Sequence, residues 1–115
     1  MNISTEKKII NFESGIERFA GNKELYIKYI CKFHEQNDFN AFCDDMSSEN
    51  YDEAFKKSHS LKGVVGNLSF DRLFDSICCV TEMLRNGKDI AGAIAALPDL
   101  QSEYDILMQE LENIA

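Results

Sequence analysis

The chain is poor in the residues that interrupt or cross-link a fold. It has one proline, Pro98, six glycines, and four cysteines that form no Cys-x-x-Cys pair. No linker, repeat or low-complexity segment divides it, so residues 1–115 are expected to form one domain. Adjacent Cys78 and Cys79 cannot easily both enter a disulfide framework. Free thiols in a reducing, cytoplasmic compartment are therefore expected.

Long apolar runs and an excess of basic residues are also missing. Hydrophobic residues make up 44% of the chain but never form a membrane-length stretch, and the polar residues 1–6 predict no signal peptide. Twelve Lys and Arg against twenty Asp and Glu give a formal charge of −8. This charge repels phosphate backbones and argues against nucleic acid as a partner, with a local basic exception expected around Lys62.

What is present is a series of helical patterns joined by short connections. After a short N-terminal helix, apolar spacing predicts helices over about 23–42, from about Asn50, and over about 70–86. Because proline disfavours helical geometry in the preceding residue, a break is expected near Leu97, with a final helix from about Asp99. These patterns predict an all-α fold, an antiparallel four-helix bundle with a short additional N-terminal helix.

The apolar residues of the two central helices define their inward faces. The predicted core positions are Ala54, Ser58, Leu61, Val65 and Leu68 on one helix and Leu73, Ile77, Val80 and Leu84 on the next. The acidic and polar residues 44–48 are expected to form a solvated connection. With these faces inward, His59 is expected to point away from the core.

His59 shares one helical stripe with Lys62, Gly63 and Gly66, at offsets of three, four and seven residues. Each glycine inside a helix costs about 1 kcal/mol relative to alanine, so two of them beside a histidine need a reason other than helix stability. Access is such a reason. Without side chains at these positions, another protein can bring its own groups up to the imidazole.

The motif HSLKG at 59–63, followed by GNL at 66–68, resembles that of histidine-containing phosphotransfer (HPt) domains. The resemblance extends over essentially the whole chain in helix order, with an acidic loop before the motif and a helix after it. One departure is Ser69, where the family usually has glycine. Ser69 is expected to act instead as the N-cap of the following helix.

The resemblance implies that His59 accepts a phosphoryl group from the aspartate of one receiver domain and passes it to another, in a multistep two-component phosphorelay. Neutral imidazole is a competent nucleophile near physiological pH. Lys62 would offset charge on the transferring oxygens, while Gly63, Gly66 and Asn67 would meet the docked receiver.

The implied partners are response-regulator receiver domains and a hybrid sensor histidine kinase, with the chain itself a monomer. The Mg²⁺ of the transfer would belong to the receiver, so no metal or cofactor is expected on this chain. No P-loop or other nucleotide motif is present, so the chain is expected to be a phosphotransfer intermediate without autokinase activity.

Phe55 lies four residues before His59 and within about 40° of it around the helix. Two roles are open for it: an exposed anchor for docking, or an aromatic packed in the groove beside the first helix.

Two other functions are also open. The chain could be an adaptor of the same fold that docks to a receiver or kinase without passing phosphate. It could instead be a metal-dependent helical-bundle enzyme, because Cys31 and His34 have a spacing that presents two ligands on a helix, and Cys78 and Cys79 could complete the set.

Overall fold

The computed structural model describes residues 7–114, and every regular element among them is helical. Residues 1–6, where no signal peptide is expected, and residue 115 lie outside the described part. The α-helices are α1 (Phe12–Arg18), α2 (Lys23–Glu35), α3 (Phe39–Ser47), α4 (Tyr51–Asn67), α5 (Asp71–Leu84) and α6 (Ile90–Glu112). The predicted all-α class is confirmed. Within residues 7–114, no helix has the length and apolar character needed to cross a membrane.

Three helices begin at side-chain caps that the sequence supplies. The carboxamide oxygens of Asn11 and Asn22 accept hydrogen bonds from backbone N–H groups in the first turns of α1 and α2, at 3.2 and 3.0 Å. The Asp89 carboxylate accepts one from Gly92 N–H at 2.9 Å at the start of α6. Each cap satisfies a donor that the helix leaves unpaired, and so fixes where that helix starts.

The centre of the molecule is the pair α4 and α5, with α3 packed on α4 and α6 packed on α5. The predicted inward faces are confirmed, since all of their residues are buried: Ala54, Ser58, Leu61, Val65, Leu68, Leu73, Ile77, Val80 and Leu84. His59 lies on the opposite side of α4 and is exposed, as expected.

The prediction of one helix over 23–42 is wrong, because the chain breaks between α2 and α3. Gln36 is extended, and the Asn37 side chain donates to Phe33 O at 2.9 Å and accepts from Phe39 N–H at 2.8 Å. A side chain that bonds nearby backbone groups in this way competes with helix continuation. The new helix, α3, then buries Phe39 and Phe42.

The acidic stretch at 44–48 is also not the expected connection, because residues 44–47 belong to α3. Asp45 contacts Lys57 of α4 at 2.6 Å, with both side chains largely shielded from solvent. The hydrogen bond from Lys57 to Asp45 raises the pKa of the Lys57 ammonium, which keeps the ion pair charged. This pair attaches α3 to α4 two residues before His59.

The break expected near Leu97 is absent, and α6 continues through Pro98. A proline inside a helix removes one hydrogen bond to the carbonyl four residues earlier, here that of Ile94. Ile94 and Pro98 are both exposed. Water can therefore satisfy the freed carbonyl, which explains how the helix continues.

The turn between α4 and α5 differs from the expectation that Ser69 caps the next helix. The N-cap position is Phe70, and Ser69 has φ +60°, with its buried hydroxyl 3.1 Å from that of Ser14. Glycine adopts this left-handed conformation at the least cost.

Tyr26 joins the N-terminal helices to the end of α4. Its hydroxyl donates to Leu68 O at 2.6 Å, and burial, with a smaller effect of Asp71, raises the pKa of the phenol to about 12. Gly15 leaves the space that the Tyr26 ring occupies. Asn11 N–H also bonds Ser69 O at 2.9 Å. Together these contacts fix the end of α4 and so the helix that carries His59.

Candidate functional site

His59 is nine residues into α4, on its solvent side. The helix begins after Asn50, as predicted, and Asp52 and Glu53 in its first turn complement the positive end of the helix dipole. The imidazole lies against the half-buried Phe55 ring, with 5.8 Å between the ring centres. A regular, well-anchored helix therefore presents an accessible nitrogen nucleophile to solvent.

Lys62, one turn after His59, is half-buried. Its charge helps to lower the pKa of the Glu82 carboxyl, although Arg85 is the larger cause. Burial raises the pKa of the Cys78 thiol, and Lys62 opposes that rise. Lys62 therefore contributes positive charge on α4, one turn from His59.

The two glycines of the stripe have different surroundings. A Cβ built on Gly63 meets nothing within 4 Å, whereas one on Gly66 would lie 2.9 Å from Phe74 Cε1. Packing of Phe74 against α4 therefore gives Gly66 a structural reason. No packing contact within the described residues gives one to Gly63. The access explanation is therefore the main one for Gly63, and for Gly66 it stays a prediction beside the packing reason.

This difference predicts opposite effects of alanine on stability. Gly63→Ala should raise the free energy of unfolding by up to about 1 kcal/mol, because alanine favours the helix and fills open space. Gly66→Ala should lower it, because displacing Phe74 costs about 1–3 kcal/mol, more than the gain in helix propensity.

Urea unfolding of the two variants beside wild type measures both effects. Equal stabilisation by the two substitutions would show that Phe74 moves aside without cost, and would remove the distinction between the glycines.

A groove lies beside the site, between α2 and α4, and Asp71, Phe74 and Asp75 of α5 also line it. The α4 wall includes Lys62, Gly63 and Asn67, the exposed last residue of that helix. The α2 wall carries Leu25, Tyr29, Lys32, Phe33 and Gln36. The structure thus brings the predicted residues Lys62, Gly63, Gly66 and Asn67 together along one groove.

The groove also contains exposed apolar residues that the sequence analysis missed as site residues. Leu25, Tyr29 and Val64 are 37%, 42% and 46% exposed. Leu25 and Tyr29 have the spacing of an inward face, but the core face of α2 is formed by Tyr26, Ile30 and Phe33. The apolar pattern of α2 is therefore wider than its core contact, and that excess width was the available signal.

Phe55 lies outside this groove. Its ring contacts His59 on one side, and the guanidinium carbon of Arg85 lies 5.0 Å from its centre. Arg85 is the first residue of the 3₁₀ turn Arg85–Gly87, which replaces the predicted last turn of α5. The ring is half-buried and packs against the hydrophobic core, so the role of Phe55 as a docking anchor stays a prediction. Its half-buried ring supports the α4–α5 side of the site.

Among the described residues, the possible metal ligands do not come together as the metal-dependent enzyme hypothesis requires. Within residues 7–114, no three His, Cys, Asp or Glu side chains are grouped as metal ligands. Cys31 and His34 on α2 are therefore not completed by Cys78 and Cys79 of α5. All four cysteines are free thiols, as expected.

Comparisons with known proteins complete the description of the site. No protein-family model matches the chain, no curated protein matches it, and no solved structure matches it.

Proposed function

We propose that the chain is a histidine phosphotransfer protein, in which His59 relays a phosphoryl group between receiver-domain aspartates. The observation that carries this proposal is the exposed imidazole on α4 beside Gly63, a helix position that nothing in the described protein fills. An incoming protein would fill that space. In this proposal the helices form an antiparallel four-helix bundle that holds α4 rigid, and the protein acts in the cytoplasm.

The transfer step follows from the chemistry of an acyl phosphate. The lone pair of an imidazole nitrogen forms a bond to phosphorus, the bond from phosphorus to the aspartyl oxygen breaks, and the aspartate leaves as a carboxylate. A second receiver aspartate reverses these steps. Lys62 offsets negative charge on the phosphoryl oxygens, and this effect strengthens when docking excludes water.

The groove between α2 and α4 would serve as the docking surface in this proposal. Leu25, Tyr29 and Val64 offer exposed apolar area, and Lys32 lies over the Tyr29 ring at 5.4 Å. The groove lining carries four basic side chains, those of Lys7, Arg18, Lys32 and Lys62, and three carboxylates, those of Asp38, Asp71 and Asp75. Its apolar area and basic groups suit a partner whose own apolar surface adjoins acidic residues. A receiver domain with an acidic phosphorylation site is such a partner. A hybrid sensor kinase is the proposed upstream source, and Mg²⁺ is supplied by the receiver.

The test is phosphoryl transfer from phosphorylated receiver domains to the purified chain. Wild type should acquire label that is acid-labile and alkali-stable, as expected for phosphohistidine, and peptide mass spectrometry should place it on His59. The chain has one other histidine, His34, which serves as an internal reference. Label on His34 alone, or no label from any receiver or small phosphodonor, would refute the relay.

The adaptor remains the second candidate, because an exposed apolar groove is also what non-covalent docking requires. A wild-type protein that binds a phosphorylated receiver but takes up no label would favour it. Label uptake therefore distinguishes the relay from the adaptor, whereas binding to a receiver does not.

A further inference from the structure

Arg85 contacts Phe55, next to His59, and is not among the residues that line the groove. Its guanidinium carbon is 5.0 Å from the centre of the Phe55 ring, and the centre of that ring is 5.8 Å from that of the imidazole. Phe55 therefore contacts both this cation and the imidazole that is the proposed phosphoryl acceptor. Cations favour such positions over aromatic rings, so Phe55 provides a surface on which the guanidinium can stay close to His59.

In the structure, the Arg85 guanidinium is hydrogen-bonded to a single carboxylate oxygen. Arg85 Nε and Nη2 donate to the same oxygen of Glu82, Oε2, at 3.1 and 3.0 Å. Both side chains are substantially exposed, at 39% and 54%. Ion pairs with this much exposure are weak, and a competing anion can displace the carboxylate.

We infer that Arg85 transfers its ion pair from Glu82 to the phosphoryl group when His59 is phosphorylated, and that Glu82 competes with phosphohistidine for it. This inference rests on the proposed function. A phosphoryl group brings close to two negative charges and three acceptor oxygens, and guanidinium binds such groups with two parallel hydrogen bonds. The step is an exchange of ion pairs, and no covalent bond forms or breaks in it.

The exchange has a consequence for the lifetime of phosphohistidine. An arginine held on the phosphoryl oxygens stabilises the phosphorylated protein relative to free imidazole and phosphate, and it limits the approach of water to phosphorus. Removing Arg85 should shorten that lifetime. Neutralising Glu82 should lengthen it, because Arg85 then loses its competing partner. Two variants at one ion pair should thus act in opposite directions.

The experiment measures hydrolysis of phosphohistidine after labelling by phosphoramidate, a donor that needs no docking surface. Arg85→Ala should shorten the half-life about three-fold and Glu82→Gln should lengthen it about two-fold, the scale of one partly exposed ion pair. Arg85→Lys should fall between Arg85→Ala and wild type, because lysine keeps the charge but lacks the bidentate geometry.

Lys88→Ala is the matched control. Lys88 is an exposed cation that follows the same turn, so its loss changes the net charge by the same amount. Its half-life should equal that of wild type. Equal half-lives for all variants, or equal shortening in Lys88→Ala and Arg85→Ala, would overturn the role of Arg85 and leave the relay intact. Failure of wild type to label on His59 from phosphoramidate and from receivers would overturn the relay itself.

Discussion

Replacement of His59 by glutamine should abolish phosphoryl uptake completely, both from receivers and from phosphoramidate. Glutamine is polar and of similar size, but its amide nitrogen is not a nucleophile, so no bond to phosphorus can form. His59 is exposed on α4, and its substitution leaves the buried faces of the helix unchanged. The measurement is radiolabel incorporation, with circular dichroism and urea unfolding to show that the variant is folded.

His34→Gln is the control for this experiment, since it removes the only other imidazole in the chain. It should label like wild type. Label that persists in His59→Gln would show that another residue accepts the phosphoryl group. A His59→Gln variant that supports signalling in cells as well as wild type would instead favour the adaptor.

Gly63→Leu should reduce phosphoryl transfer from a receiver by about 100-fold or more, while uptake from phosphoramidate stays at the wild-type rate. A Cβ at this position meets nothing within 4 Å, so a leucine side chain would extend from an exposed part of α4. On a docked receiver, however, the side chain would hold the reacting atoms apart, and a misplacement of about 1 Å can cost about 100-fold in rate. Stopped-flow or quenched-flow transfer kinetics with the two donors separate the effects.

Ala95→Leu provides the matched control, because it adds the same side chain at an exposed position of α6. It should transfer at the wild-type rate with both donors. Equal loss with receiver and phosphoramidate in Gly63→Leu would indicate damage to His59 itself. Full activity with the receiver would show that docking does not use the space at Gly63, and the access argument would fail.

The sequence was most informative about which residues of α4 and α5 are buried, because this depends on a single apolar face of each helix. Val65, Ile77 and the other inward residues of α4 and α5 follow the helical period, and their burial places His59 outward without further information. The break after α2 could not be read in this way. It depends on Asn37, which bonds local backbone and also reaches Tyr104 at 3.1 Å, 67 residues away.

The surroundings of His59 also depend on contacts that the sequence pattern does not predict. Gly63 and Gly66 look equivalent in the sequence, and only the position of Phe74 on a neighbouring helix distinguishes them. Arg85 reaches the Phe55 ring because α5 ends at Leu84 and a turn with positive φ at Asn86 follows. No local pattern predicts that approach. Contacts between helices, and not periodicity, determine which residues surround His59.

Gly63 gives the chain a property that selection experiments can reveal. A library at this position selected only for folding should favour alanine and larger helix formers, because the open space accepts them and each improves helix propensity. A library selected for signalling should retain glycine. A difference between the two libraries at position 63 would show that glycine is required there by a binding partner, because no contact in the described fold requires it.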